Sequence, residues 1–298
     1  MKHMKLAVYV ALVLIGLLAV GVIASAQSAD IVDNSSLTGT LQSGVLKVGI
    51  NPGYAPFEMI DEKGDLIGFD VDISQIMADL MGVKLNLVVV AWEGIIPGLQ
   101  VGKYDVIICG LTRKMERTLK IGFSDPYFRT GQMVLINKDR LPNITSLSQL
   151  NNPDVDITVM QGTSGHVATM KALPNAHVLN YTSREEAAMM VGMGRADAFV
   201  FDEPLIRYYL AKYAGKTYTV EDQYLTTENL CFGVRWGDPM WRDWLNIFIY
   251  QLKNVIWTSE EDAEKYDIDP SFIGKPIYDG LYHKWFVRWM QEAKSMED

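Results

Sequence analysis

The chain has 298 residues, enough for two modest domains or one large one. Lys plus Arg number 27 against 36 Asp plus Glu, a formal charge of −9. With no basic stripe interleaved with aromatics, nucleic acid is excluded as the main partner.

Lys2 and Lys5 precede an apolar run from Leu6 to Ile23, and Ala24-Ser25-Ala26 supplies a small-x-small cleavage pattern. Residues 1–26 are therefore expected to be an export signal, with an uncleaved single-helix membrane anchor as the alternative because the run is long for a signal core. Residues 27–43, rich in Ser, Thr, Asn and Asp and without periodicity, read as a flexible linker. Val45 to Ile50 is a first strand, closed by the turn Asn51-Pro52-Gly53. A small hairpin follows from Phe57, and Phe69 to Leu80 has helical apolar spacing stopped by Gly82. Lys84 to Val90, Glu93 to Val101 and Tyr104 to Cys109 complete a β-α-β-α-β unit, which implies parallel strands with right-handed crossovers.

A second unit of this kind follows. Gln132 to Asn137 and Ile157 to Met160 are strands, Ser164 to Ala172 a helix, and His177 to Tyr181 a strand. Ser183 with Glu186 forms a capping box for the helix through Gly194. Ala198 to Phe201 and Pro204 to Tyr213 are the next strand and helix. Leu230 to Trp236 is a strand that does not continue the pattern, and Asp238-Pro239 starts a helix running to about Lys253. These elements predict an α/β protein of two lobes joined by two crossings: lobe 1 from residues 44–128 plus 231–298, lobe 2 from residues 129–230. The acidic insertion 255–278 is either a surface elaboration or a contact site. Cys109 and Cys231 each lie in an apolar strand-like run, which favours two buried free thiols over a disulfide.

No enzyme motif is present: no G-x-G-x-x-G after a strand, no phosphate loop, no G-x-S-x-G and no H-E-x-x-H. His166, His177 and His283 are far apart, and no His–Cys cluster suggests a metal. No catalytic residue, metal or cofactor is therefore expected. What converges is binding chemistry. Ile108 to Phe128 passes from a strand through a small-residue turn to Arg117, a fork for a carboxylate at the sheet edge where open α/β folds collect ligands. The segments at Asn51 to Phe57, Val90 to Gly94, Cys109 to Thr112 and Gln161 to Gly165 also place small or aromatic residues at strand ends. Asp202 closes another strand before a proline. If these edges face one cleft, the set suits a small zwitterion: Arg117 for its carboxylate, Asp202 for its ammonium, Tyr54 and Trp92 for its side chain.

VLKVGINPGYAPFE, GDLIGFDVDI, WEGIIPGLQVGKYDVIICGLT with Arg117, FSDPYF, VMQGTSG and GRADAFVFDEP, in this order, resemble the family 3 extracellular solute-binding proteins of ABC amino-acid importers. The resemblance covers most of residues 44–254, and DGLYHKWF at 279–286 resembles the family's terminal helix. It implies the two-lobed periplasmic-binding-protein type II fold with a two-stranded hinge that closes on its ligand. It further implies that Arg117, helped by Thr112 and the backbone at Ser164, grips an α-carboxylate. Asp202, helped by the backbone at Gly110, would hold the α-ammonium. Tyr54 and Trp92 match the aromatic positions, and Asn51, Gln161 and Gly165 fall where side-chain specificity is set. The implied partners are a free amino acid and an ABC permease in the membrane, the protein itself being an exported, periplasmic or extracytoplasmic monomer. Glu58, Asp70 and Glu93, near the aromatic positions in sequence, lean the ligand towards a polar or basic amino acid. Departures are Cys109 and Gly110 where some relatives have serines, Arg113-Lys114-Met115 before Arg117, and His166 where a carboxylate is common. The rival readings are a cyclohexadienyl dehydratase on the same architecture and a ligand-sensing receptor subunit. Those dehydratases place a glutamate a few residues beyond the aspartate, whereas Asp202 is followed by Glu203-Pro204-Leu205-Ile206.

Overall fold

The computed structural model describes residues 34–291. The expected export signal or anchor, residues 1–26, and the start of the linker lie outside the described residues. The linker expectation is corrected over the remainder, because Ser36–Ser43 form helix α1. Ser35 Oγ and the Ser36 N–H donate to Asp238 at 2.7 and 2.6 Å, and the Trp241 N–H donates to the same carboxylate at 3.1 Å. One buried acid thus caps two helices. Ser35 and Ser36, two of the polar residues that make the segment read as a tether, are satisfied internally.

The first βαβαβ unit consists of β1 (Val45–Ile50), a hairpin of β2 (Met59–Ile60) and β3 (Leu66–Ile67), α2 (Phe69–Met81), β4 (Lys84–Val89), α3 (Trp92–Gln100) and β5 (Val106–Ile107). β1 pairs in parallel with both β4 and β5, as the crossover pattern requires. A single-turn helix, α4 (Met115–Thr118), carries Arg117. Then comes β6 (Gly122–Asn137), ten residues longer at its start than the predicted Gln132 to Asn137. Proline normally ends a central strand, but Pro126 lies opposite Cys231 where the register slips, so the absent N–H is accommodated.

The second unit follows as β7 (Asp156–Met160), α5 (Ser164–Ala172), β8 (His177–Tyr181), α6 (Arg184–Gly192), β9 (Ala198–Asp202), α7 (Glu203–Lys212) and β10 (Thr217–Tyr218). The chain then returns through β11 (Thr227–Val234) into α8 (Pro239–Asn254), α9 (Glu260–Lys265) and α10 (Ile277–Tyr282).

One curled sheet runs β4-β1-β5-β11-β6-β9-β7-β8, with β10 beside β6. Its two halves meet along β6. Gly122 to Gly131 pair antiparallel with β11, and Gln132 to Ile136 pair antiparallel with β9. The largest apolar cluster crosses the junction, joining Phe57, Phe69 and Phe128 to Phe199 and Phe201. After α10, Phe286 stacks on Phe128 at 4.8 Å and Trp289 on Tyr208 at 5.6 Å, so the C-terminal helical stretch packs on both halves. The 255–278 insertion is folded onto α2: Tyr266 and Lys265 reach Asp79 at 2.5 and 2.8 Å. Cys109 and Cys231 are buried free thiols. No helix among the described residues is long and apolar enough to cross a membrane.

Candidate functional site

Parallel strands of both halves end at one edge, and the turns after them enclose a narrow cavity of about 10 Å³, room for one water-sized sphere. From the β1 turn comes Tyr54, buried, whose hydroxyl donates to Asp202 at 2.6 Å. Asp202 ends β9, pairs in register with Gln132 of β6, and also accepts from the Gln132 side-chain amide. Burial pushes its carboxyl up to about 7, opposed by the Tyr54 hydrogen bond.

Arg117 projects from α4. Its guanidinium donates to the Thr112 carbonyl at 2.8 Å and to the Gly162 carbonyl at 3.3 Å, and it covers the Trp92 ring at 5.1 Å. Thr112 and Ser164 share a hydroxyl contact at 3.3 Å across the cleft, and the Gln132 amide donates to Ser164 Oγ at 3.1 Å. Gly110 has φ of 59° and its N–H is committed to Asp70 at 2.9 Å. A Cβ there would sit 2.3 Å from the Tyr54 ring, so glycine is what lets the aromatic wall close.

Arg117, Asp202, Thr112, Tyr54, Trp92, Gly110 and Ser164 thus come together around one cavity. Asn51 and Gly165 stand one layer behind. The Asn51 amide donates to the Val90 carbonyl at 2.9 Å, and a Cβ on Gly165 would meet Gln132 Oε1 at 2.7 Å. Gln161 is exposed and off the cavity; its N–H extends the β7–β8 ladder to the Tyr181 carbonyl at 2.8 Å. The three acids expected near the aromatic walls do not line the cavity either. Glu93 is exposed, while Glu58 and Asp70 are fully buried behind the wall. Burial raises the Asp70 carboxyl to about 7, and burial with the neighbouring Asp70 holds that of Glu58 well above its ordinary range.

Four further residues line the cavity: Cys109, Thr163 and Phe201, which fall within the expected strand-end segments, and Arg184, which the sequence reading missed. Arg184 matters most. It is the first residue of α6, only 3% exposed, with Nη2 donating to Asn51 Oδ1 and Nη1 3.8 Å from Glu58. Its guanidinium lies 5.4 Å from the Tyr54 ring centre and 5.5 Å from that of Phe201. The signal was available in the sequence. Arg184 follows the cap of a helix entered from a parallel strand, the same position that Ser164 holds in α5, and such positions face the ligand edge.

The arrangement offers two guanidiniums, one carboxylate and the hydroxyls of Tyr54, Thr112, Thr163 and Ser164. Burial pushes the Cys109 thiol well up, which keeps it neutral and a poor nucleophile. No group of three His, Cys, Asp or Glu among the described residues could hold a metal ion. The fold and cavity define a two-lobed α/β protein of the amino-acid-binding kind. Residues 46–257 match the bacterial extracellular solute-binding proteins, family 3, and the chain belongs to that family. It is 31% identical over 206 residues to the L-arginine-binding protein of Pseudomonas aeruginosa, covering 65% of this chain and 76% of that one. It is 29% identical over 168 residues to the cyclohexadienyl dehydratase of the same organism, covering 56% of this chain and 63% of the enzyme. Among solved structures it resembles an ABC-transporter binding component from Wolinella succinogenes complexed with lysine. The identity there is 38% and the TM-score 0.72, over 83% of this chain and 99% of that one.

Proposed function

We propose that this protein captures a free L-amino acid between its lobes and delivers it to the membrane permease of an ABC-type importer. The observation that carries the reading is the placement of Arg117 and Asp202, from opposite halves of the sheet, on one buried cavity. A zwitterion pairs both charges at once, and burying both is favourable only when each is paired and hydrogen-bonded. In this reading residues 44–128 and 231–298 are one lobe, residues 129–230 the other, and β6 with β11 is the hinge. The protein acts outside the cytoplasm, as a monomer and without a catalytic step.

A thermal-shift screen of the full chain against the common amino acids tests it, since a ligand bound only by the folded state raises the melting temperature. Asp202→Ala should weaken the responding ligand by about 3–5 kcal/mol, the range for stripping one partner from a buried pair. A calorimetric loss below about 1 kcal/mol would remove Asp202 from the site. The dehydratase relative supplies the competing reading, and turnover of prephenate or arogenate by the purified protein would favour it.

A further inference from the structure

Arg184 puts a second positive charge on the cavity, and no acid on the lining lies within ion-pair distance of it. Both guanidiniums end on neutral oxygens: Arg117 on the carbonyls of Thr112 and Gly162, Arg184 on the amide oxygen of Asn51. Asp202 is the one carboxylate lining the cavity among the described residues, and it already accepts from Tyr54 and Gln132. The nearest acid to Arg184 is Glu58, at 3.8 Å, beyond hydrogen-bond length. Arg184 Nη1 has no hydrogen-bond partner although it is buried, and the Glu58 carboxyl is engaged with that of Asp70. Glu58 also shares its burial with Asp70, and two such carboxyls do not both ionise. Glu58 makes no hydrogen bond to Arg184, so the Nη1 donor stays unanswered.

The aromatic walls point the same way. A basic ligand side chain would be drawn to the faces of Tyr54 and Trp92. Each ring already carries one of the protein's own cations on a face: Arg184 lies over Tyr54 at 5.4 Å and Arg117 over Trp92 at 5.1 Å. A third cation in this closed space would meet like charge in a medium that screens it poorly. If an amino acid places its α-carboxylate on Arg117 and its ammonium on Asp202, the donor left over is Arg184, a planar fork suited to a second carboxylate.

We propose that Arg184 determines specificity by taking the terminal carboxylate of an acidic side chain, so that the ligand is an amino acid of the aspartate or glutamate class and cationic side chains are rejected. This rests on the amino-acid reading above and narrows it. It also reverses the lean towards a basic ligand drawn from Glu58, Asp70 and Glu93, and it sets this chain apart from relatives whose names specify arginine or a complex with lysine.

Calorimetric titration of the full chain with L-aspartate, L-glutamate, L-glutamine, L-lysine and L-arginine tests it. One of the two acids should bind at least about tenfold more tightly than either cation and more tightly than glutamine. In Arg184→Met that preference over glutamine should disappear. The wild-type ranking decides the question even if the variant fails to fold. Tightest binding by lysine, arginine or glutamine would overturn the proposal and leave the amino-acid reading standing. A preference for the acid that survives in folded Arg184→Met would overturn the role given to Arg184. Failure of every common amino acid to bind would overturn both proposals.

Discussion

Asp202 accepts hydrogen bonds from a phenol and an amide and has no ion-pair partner among the described residues. Burial therefore holds its carboxyl at about 7, and Asp70 behind the wall is held at about 7 by the same cause. An ammonium bound to Asp202 requires the ionised form, so binding should expel a proton near neutrality. Between about pH 8 and about pH 6 the association constant should fall roughly tenfold, as calorimetry across that range would show. Stability of the unliganded protein should run the opposite way. Both aspartates keep protons that an unfolded chain has lost above about pH 4. Their contribution is fully present below that pH and is lost as pH rises through about 7, so the urea midpoint should be higher near pH 5 than near pH 8. Sequence could not supply these effects, because they depend on which acids the fold buries. It read Glu58, Asp70 and Glu93 as neighbours of the walls, whereas two of them lie behind the wall and the third faces solvent.

At the scale of elements, hydrophobic period and turn residues made the alternating strands and helices legible, and they located the strand ends from which seven of the ten expected site residues reach the cavity. Two elements were hidden for identifiable reasons. The start of β6 contains Ser124-Asp125-Pro126, a turn-like sequence whose extended form is fixed by pairing with β11, more than 100 residues away in the chain. Helix α1 has no apolar period, and its ordering depends on Asp238, which no local pattern connects to Ser35. The shared cap has a measurable consequence. Asp238→Ala removes acceptors from Ser35, Ser36 and Trp241 together and should cost about 1–3 kcal/mol in urea unfolding. Ser35→Ala removes only one of these donors and should cost less.

For the whole molecule, the contacts of Tyr54 with Asp202, Thr112 with Ser164, Arg117 with the Gly162 carbonyl, and Arg184 with Asn51 and Glu58 cross the cleft directly. Closure buries the Asp202 charge. The rise of its carboxyl to about 7 corresponds to on the order of 4 kcal/mol against the ionised form, roughly a thousandfold in population above neutrality. Opening about β6 and β11 would return that carboxylate to water, and an ammonium ligand would neutralise it in place. In the proposed two-lobe reading, closing on an ionised Asp202 is therefore opposed until an ammonium pairs with it, whereas closing on the protonated form is not. Asp202→Asn keeps the shape and most of the hydrogen bonding while removing the charge, so without ligand it should favour closure. By small-angle X-ray scattering near pH 8, the unliganded wild type should have a larger radius of gyration than unliganded Asp202→Asn, and saturating ligand should contract only the wild type. Equal radii for the two unliganded proteins would mean that closure is set by the surrounding contacts and not by the charge on Asp202.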